Sequence, residues 1–237
     1  MAYIYEYIRT KGFEPLYFEE HYAHLEELAQ RLLATPFKLN HQSLRAEIAE
    51  ALSSNGYSAD MAHLVKVCYS VNGDVKIVTG DILYNHFSVR AIRPTIGGVE
   101  RVVKGSLLLE NSSVKDAMLE LQFGKSHNLD NPNALTMWVT EQDEVVAIDG
   151  ASVVAVFEDE IRFSECGGGV EFELLYNAAI KNYKRVVKAP LMLSELSDAK
   201  ELLYVDCRGV TAVDNWENHY YMDLTATLLA AQIAKEE

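Results

Sequence analysis

Lys104 closes a β-like run, Arg101-Val102-Val103-Lys104, and is followed by Gly105 and an apolar patch at Leu107-Leu108-Leu109. A lysine so placed can be partly desolvated, which disfavours its ammonium form and leaves an amine able to attack a carbonyl carbon. The same position also suits a solvated surface charge, the commoner state of a lysine that follows a strand. Gly167-Gly168-Gly169 stands before a helical run. A helix N-terminus offers N–H groups and partial positive charge, and glycines let a ligand come close to the backbone. The spacing is neither GxGxxG nor a P-loop, so a dinucleotide or triphosphate site has little support, and a flexible strand-to-helix turn is the plainer reading. His21 and His24, three residues apart on one helical stretch, have a metal-ligand spacing, but no Cys or acidic partner completes a set. They read as interfacial or surface histidines. No Ser-His-Asp or HExxH arrangement is present.

The composition bounds the rest. With 237 residues, 49% hydrophobic and 24% charged, the chain can bury one large core or two modest ones. Its net charge of −14 disfavours a phosphate backbone as partner, so nucleic acid is not expected. Cys68, Cys166 and Cys207 are odd in number, far apart and without a CxxC, which fits reduced thiols in a cytoplasmic protein. No leader-like start and no membrane-length apolar run stands out, so a membrane is not expected either.

The elements that must position these residues can be read in order. Tyr3 to Arg9, a turn at Lys11-Gly12, and Glu14 to Phe18 form a hairpin pattern. Glu19 to Leu33 is helical, with Tyr22, Leu25, Leu28, Ala29 and Leu32 on one face and Pro36 beyond its end. Ser43 is the expected N-cap of a second helix to Leu52, which Asn55-Gly56 stops. Ala62 to Val71 and Val75 to Thr79 flank Asn72-Gly73, a strong hairpin signal. A strand is expected over Tyr84 to Ile92, and a break at Arg93 to Gly98. Beyond it come a strand at Glu100 to Lys104 and a helix at Glu110 to Phe123. Strands follow at Ala134–Val139, Val145–Ile148, Ser152–Phe157 and Ile161–Ser164, then a helix over Val170–Asn182. Strands at Arg185–Pro190 and Leu202–Asp206, and a C-terminal helix over Tyr221–Lys235, complete the pattern.

Taken in order, these pieces resemble the class IV, fold-type IV pyridoxal-phosphate enzymes, the family of branched-chain and D-amino-acid aminotransferases and aminodeoxychorismate lyase. Tyr5-Glu6-Tyr7-Ile8-Arg9, Glu14-Pro15-Leu16 and Glu19-Glu20-His21-Tyr22-Ala23-His24-Leu25 resemble the opening F/Y-E-x-I-R motif, hairpin and E-E-H-x-x-R-L helix. Val103-Lys104 with Leu107 to Leu109 resembles the strand end that carries the Schiff-base lysine. Val145 to Ser164 resembles the paired strands that follow. Gly169-Val170-Glu171, Pro190-Leu191, Glu195-Leu196 and Arg208-Gly209-Val210 resemble the phosphate-helix start, the P-L-x-x-x-E-L turn and the final R-G-V segment. Cys207-Arg208-Gly209-Val210 is somewhat closer to the lyase branch.

The resemblance implies a mixed α/β (α+β) fold of two domains, like the D-amino-acid aminotransferases: a smaller α+β domain over 1–95, an inter-domain linker and strand over 96–104, and a larger β-rich domain with helices over 105–237. It implies pyridoxal 5'-phosphate between the domains, a homodimer, a small amino-group substrate, and Lys104 as the residue that bonds to the cofactor aldehyde. The matching cofactor positions are His24, Asp149, Gly169, Val170, Glu171 and Asp206. Several depart from the family pattern. His24 stands where the family's phosphate-gripping arginine falls, Glu171 and Asp206 where its Thr and Ser/Thr fall, and Leu108 where a tyrosine is usual. The family's glutamate at the pyridine nitrogen aligns with Ile148, and a slip of one residue gives it to Asp149. Two carboxylates beside a phosphate dianion cost about a few kcal/mol at an effective dielectric of about 20. Arg101 and Arg208 are the cations available to offset that. The resemblance therefore leaves two functions open: a lyase or transaminase, or a non-catalytic homologue that binds another small ligand.

Overall fold

The computed structural model describes residues 2–82, 86–105, 110–126, 134–235 and 237. Leu107 to Leu109 and Tyr84 lie outside the described residues. The described residues form a mixed α+β fold of fourteen strands and five α-helices, divided into two compact units.

Unit 1 comprises Met1–His86 and Asn111–Val114. It contains β1 (Tyr3–Lys11), β2 (Glu14–Pro15), α1 (Phe18–Leu33), α2 (His41–Ser54), β3 (Ala62–Ser70) and β4 (Val75–Asp81). Its antiparallel sheet has the order β2-β1-β3-β4. The Lys11-Gly12 turn needs glycine twice over, for a φ of 59° and because a Cβ there would lie 2.3 Å from the Ala59 carbonyl oxygen. Glu19 and Glu20 sit in the first turn of α1, where the helix dipole favours them. The apolar face read from the sequence packs Tyr22, Leu25, Leu28 and Ala29 onto Ile4, Ile8, Val65 and Val67 of the sheet. The N-cap of α2 is Asn40, not Ser43: the Asn40 side chain accepts from the Ser43 N–H at 2.9 Å, so the helix starts nearly a full turn earlier. The segment at Asn111 returns to this unit, where its carbonyl accepts the Tyr5 N–H at 2.9 Å.

Unit 2 comprises Phe87–Glu110 and Lys115–Glu237. In chain order its elements are β5 (Thr95–Arg101), α3 (Ser113–Ser126, whose first two residues belong to unit 1), β6 (Ala134–Val139), β7 (Val145–Ile148), β8 (Ser152–Val156), β9 (Ile161–Ser164), α4 (Val170–Asn182), β10 (Val186–Ala189), β11 (Glu201–Asp206), β12 (Gly209–Ala212), β13 (Asn215–Trp216), β14 (His219–Tyr220) and α5 (Leu224–Ala234). They build two five-stranded sheets, β10-β9-β8-β11-β12 and β14-β13-β5-β6-β7. Met137, Val139, Val145 and Ile148 of one sheet and Val153, Ala155, Leu202 and Tyr204 of the other share one core. The near-continuous apolar runs of β7 and β8 follow from burial on both faces. The strand expected over Tyr84 to Ile92 does not form among the described residues 86–92. That stretch makes a single bridge, Val89 to Val210.

A buried carboxylate fixes the last helix. Glu201, 3% exposed, accepts the Thr225 N–H at 2.7 Å and the Ala226 N–H at 3.2 Å, taking up two of the N–H groups that a helix start leaves unpaired. Glu201→Ala is expected to lower the unfolding free energy by about 1–2 kcal/mol, the scale of a lost cap. Urea unfolding checks this, and an unchanged midpoint contradicts it.

Candidate active site

The site grows from a two-residue turn. Asp149 and Gly150 both have positive φ, 50° and 73°, and join β7 to β8 with reciprocal bonds between Ile148 and Ala151 at 3.0 and 2.9 Å. Two left-handed residues in a row form the mirror-image turn that Asp-Gly favours. The Asp149 N–H is tied to the Thr136 carbonyl at 2.9 Å, which fixes the direction of its half-buried side chain. Lys115, in the first turn of α3, lies directly over the turn. A Cβ at Gly150 would come 3.0 Å from its Cε, 3.3 Å from Leu119 and 3.4 Å from the edge of Trp138. Glycine suits Gly150 for its positive φ, and the lack of a Cβ leaves room for the lysine stem.

A second hairpin stands beside the first. Val205 pairs with Ser152, so Asp206, the next residue, adjoins the Asp149-Gly150 turn. Asp206 and Gly209 face each other across a turn of Cys207 and Arg208. Asp206 Oδ1 accepts the Arg208 N–H at 2.8 Å, and both Asp206 oxygens hold the guanidinium, with Nε at 3.1 and 3.0 Å and Nη2 in contact with Oδ2. A Cβ at Gly209 would lie 2.3 Å from the Ser88 carbonyl oxygen, so the stretch carrying Arg90 packs tightly onto this hairpin. Arg90 Nη1 donates to Thr211 Oγ1 at 3.3 Å. On the other side, Ser152 Oγ accepts the Gly168 N–H at 3.0 Å, which draws in the glycine loop before α4. Gly169 caps α4 with a φ of 95°, and Glu171 and Glu173 occupy its first turn, Glu173 paired with Lys188 at 2.6 Å.

Burial pushes the Asp149 carboxyl above its ordinary range, against the pull of Arg208, Arg90 and Lys115 and with the push of Asp206. One end of unit 2 thus gathers a primary amine, a carboxyl whose pKa burial raises, two guanidiniums and a helix N-terminus. Such a set can bind an anionic carbonyl compound and move a proton next to the carbonyl carbon.

No family model matches the sequence, and no curated protein matches it. Solved structures do. A hypothetical aminotransferase from Mycobacterium tuberculosis is 12% identical, aligned over 99% of this chain and 90% of its own, with a TM-score of 0.77. A branched-chain aminotransferase from Thermoproteus uzoniensis is 11% identical, over 97% and 83%, with a TM-score of 0.78. A candidate 4-amino-4-deoxychorismate lyase from Legionella pneumophila is 12% identical, over 99% and 91%, with a TM-score of 0.76. The fold is that of the fold-type IV aminotransferases. The Mycobacterium tuberculosis protein is also known in a PLP-bound form.

Within this fold-type IV frame the expected site residues separate. Asp149, Asp206 and the glycine loop before α4 come together. Ile148, the other candidate for the acid position, is fully buried in the core. Lys104 meets the start of β7 and the residue just before Cys166 and the glycine loop. Its half-exposed ammonium donates to both oxygens of Glu144, at 3.0 and 2.8 Å, and to Glu165 at 2.5 Å. Hydrogen bonds from these carboxylates hold it charged and raise its pKa well above the ordinary lysine value. Glu144 precedes β7 and Asp149 follows it, about 16 Å along an extended strand. Arg101 is likewise engaged, with Asp143 at 2.6 Å. His24 belongs to unit 1, where its Nδ1 meets Glu6 Oε2 at 2.9 Å and His21 Nδ1 meets Glu6 Oε1 at 2.7 Å. Burial opposes ionisation of Glu6, but these two hydrogen bonds outweigh it and bring its pKa down to about 2. Lys115 was not among the residues singled out in the sequence. The signal that could have found it is a lysine in the first turn of a helix, followed by an Asp-Gly hairpin turn.

Cys166 shares the carboxylate that holds Lys104, its Sγ lying 3.3 Å from Glu144 Oε1. Burial, then the Glu144 contact, pushes the thiol up to about 12. Alkylation of Cys166 by iodoacetamide at pH 8 is expected to be more than about 100-fold slower than that of an ordinary thiol, because the thiolate is the nucleophile. The rate should climb about tenfold per pH unit up to pH 11. Site-resolved mass spectrometry reads this, and a plateau near pH 8.5 contradicts it.

Proposed function

We propose that this chain is a pyridoxal-phosphate-dependent enzyme acting on an amino-group substrate, as a lyase of the aminodeoxychorismate type or a transaminase. The observation that carries the reading is the Lys115 side chain lying over the Asp149-Gly150 turn. The fold adds support, since structural neighbours include a PLP-bound aminotransferase. The donor set fits that cofactor: a primary amine, a carboxyl whose protonated form is favoured by burial, and cations with helix-start N–H groups for a phosphate ester. When bound, the cofactor supplies the electron sink conjugated to the carbon that loses a proton.

The roles follow from placement. Lys115 would be the amine that holds the cofactor aldehyde and the base for the proton at the amino-bearing carbon of the substrate. Two carboxylates hold Lys104 as an ammonium. Asp149 would be the acid group that holds the ring nitrogen. Arg208 and the N–H groups at Gly169 and Val170 would hold the anionic end. Lys104 is then a structural cation that joins Glu144 to Glu165.

A second reading has its own support. Glu171 in the first turn of α4 and Asp206 on Arg208 are carboxylates where a phosphate would sit, as in a non-catalytic homologue that binds another small ligand. An absorption titration with pyridoxal 5'-phosphate separates the two. The proposed function predicts a visible band that survives Lys104→Ala and disappears in Lys115→Ala. A protein that stays colourless favours the second reading, and a band lost only in Lys104→Ala restores that lysine as the amine.

A further inference from the structure

The Asp206–Arg208 pair is more than a hairpin contact. Arg208 belongs to a group of three cations, with Arg90 and Lys115, whose charges converge on Asp149. The planar guanidinium is built to hold a carboxylate or phosphate through two parallel N–H bonds. Here that fork is taken up by a carboxylate from the same turn, two residues away, with Nε at 3.1 and 3.0 Å from its oxygens. The turn does not need the second contact. Asp206 Oδ1 already accepts the Arg208 N–H at 2.8 Å, a bond that Asn or Ser can also supply. The guanidinium is about half exposed, whereas Asp206 is 18% exposed, so the outer edge of the pair faces solvent and the carboxylate lies behind it.

We propose that Asp206 is an internal occupant of an anion subsite formed by the Arg208 fork. An incoming phosphate ester or carboxylate has to displace Asp206 from the guanidinium before it is bound. The Asp206 side chain therefore sets both the affinity of the site for anions and its selectivity among them. A phosphate dianion is disfavoured more than a monocarboxylate, because the displaced Asp206 stays within a few ångströms and repels the greater charge more strongly. The assignment of that anion to a cofactor phosphate or to a substrate carboxylate rests on the proposed function. The subsite itself does not.

The test uses inorganic phosphate, which needs no cofactor chemistry. Calorimetric titration at constant ionic strength is expected to show at least tenfold tighter phosphate binding to Asp206→Asn than to the unaltered chain. Asp206→Ser, which keeps the turn bond and vacates the fork, should show the same gain, and Asp206→Asn with Arg208→Gln should lose it. Acetate should gain less than phosphate from Asp206→Asn. Equal phosphate affinity in the unaltered chain and both single variants, with folding intact by circular dichroism, overturns the proposal. So does a gain that survives Arg208→Gln. The source of the anion is read by repeating the titration with pyridoxal 5'-phosphate and with pyridoxal. A gain in Asp206→Asn confined to the phosphate ester assigns the subsite to the cofactor, and one also seen with a substrate-like carboxylate assigns it to the substrate. A colourless protein that still gains phosphate affinity keeps this inference and removes the enzyme reading.

Discussion

Everything at the candidate site depends on one steric constraint, the passage of Lys115 over Gly150. The turn from β7 to β8 has room for two residues only, both left-handed, and Asp-Gly is a pair that accepts this without strain. The absence of a side chain at Gly150 lets the lysine stem lie within van der Waals reach of the backbone. The same turn points Asp149 at the cations. A single local conformation thus brings Lys115 and Asp149 to the same turn, and a β-carbon at Gly150 would strain the backbone and crowd the lysine stem.

Around that point the electrostatics are balanced, not one-sided. Asp149 feels Arg208, Arg90 and Lys115 on one hand and Asp206 and its own burial on the other, and burial dominates. A carboxyl in such surroundings retains its proton more readily than one in water, which suits an acid beside a basic nitrogen. Lys104 shows the opposite arrangement. Two carboxylates with good geometry hold its ammonium, so the residue that looked nucleophilic in sequence is the one that its partners keep charged.

Much of the fold was legible in the chain because its signals are local. β6, β7, β9 and α4 begin and end at the residues that periodicity and glycine placement indicate. Asn72-Gly73 makes the β3–β4 hairpin it announces. The failures are also physical. Asn40 outcompetes Ser43 as a cap because its side chain reaches the Ser43 N–H, a choice that composition alone cannot rank. The stretch near Val89 alternates like a strand, yet among the described residues it meets the edge strand β12 only around Val210, a single bridge that does not extend into a ladder. The approach of Lys115 to Gly150 was not legible because it is a contact with a glycine 35 positions later, and one-dimensional spacing carries no record of it. Glu144 and Glu165 lie 40 and 61 positions from Lys104, which is why its neutralised surroundings could not be read either.

Lys115, held over the Asp149-Gly150 turn, is the proposed amine of this site. The most direct measurement is borohydride reduction of the protein mixed with pyridoxal 5'-phosphate, followed by peptide mapping. The account predicts a phosphopyridoxyl mass on the peptide containing Lys115, at near-stoichiometric yield. A stoichiometric label on Lys104, with Lys115 unmodified, would contradict it.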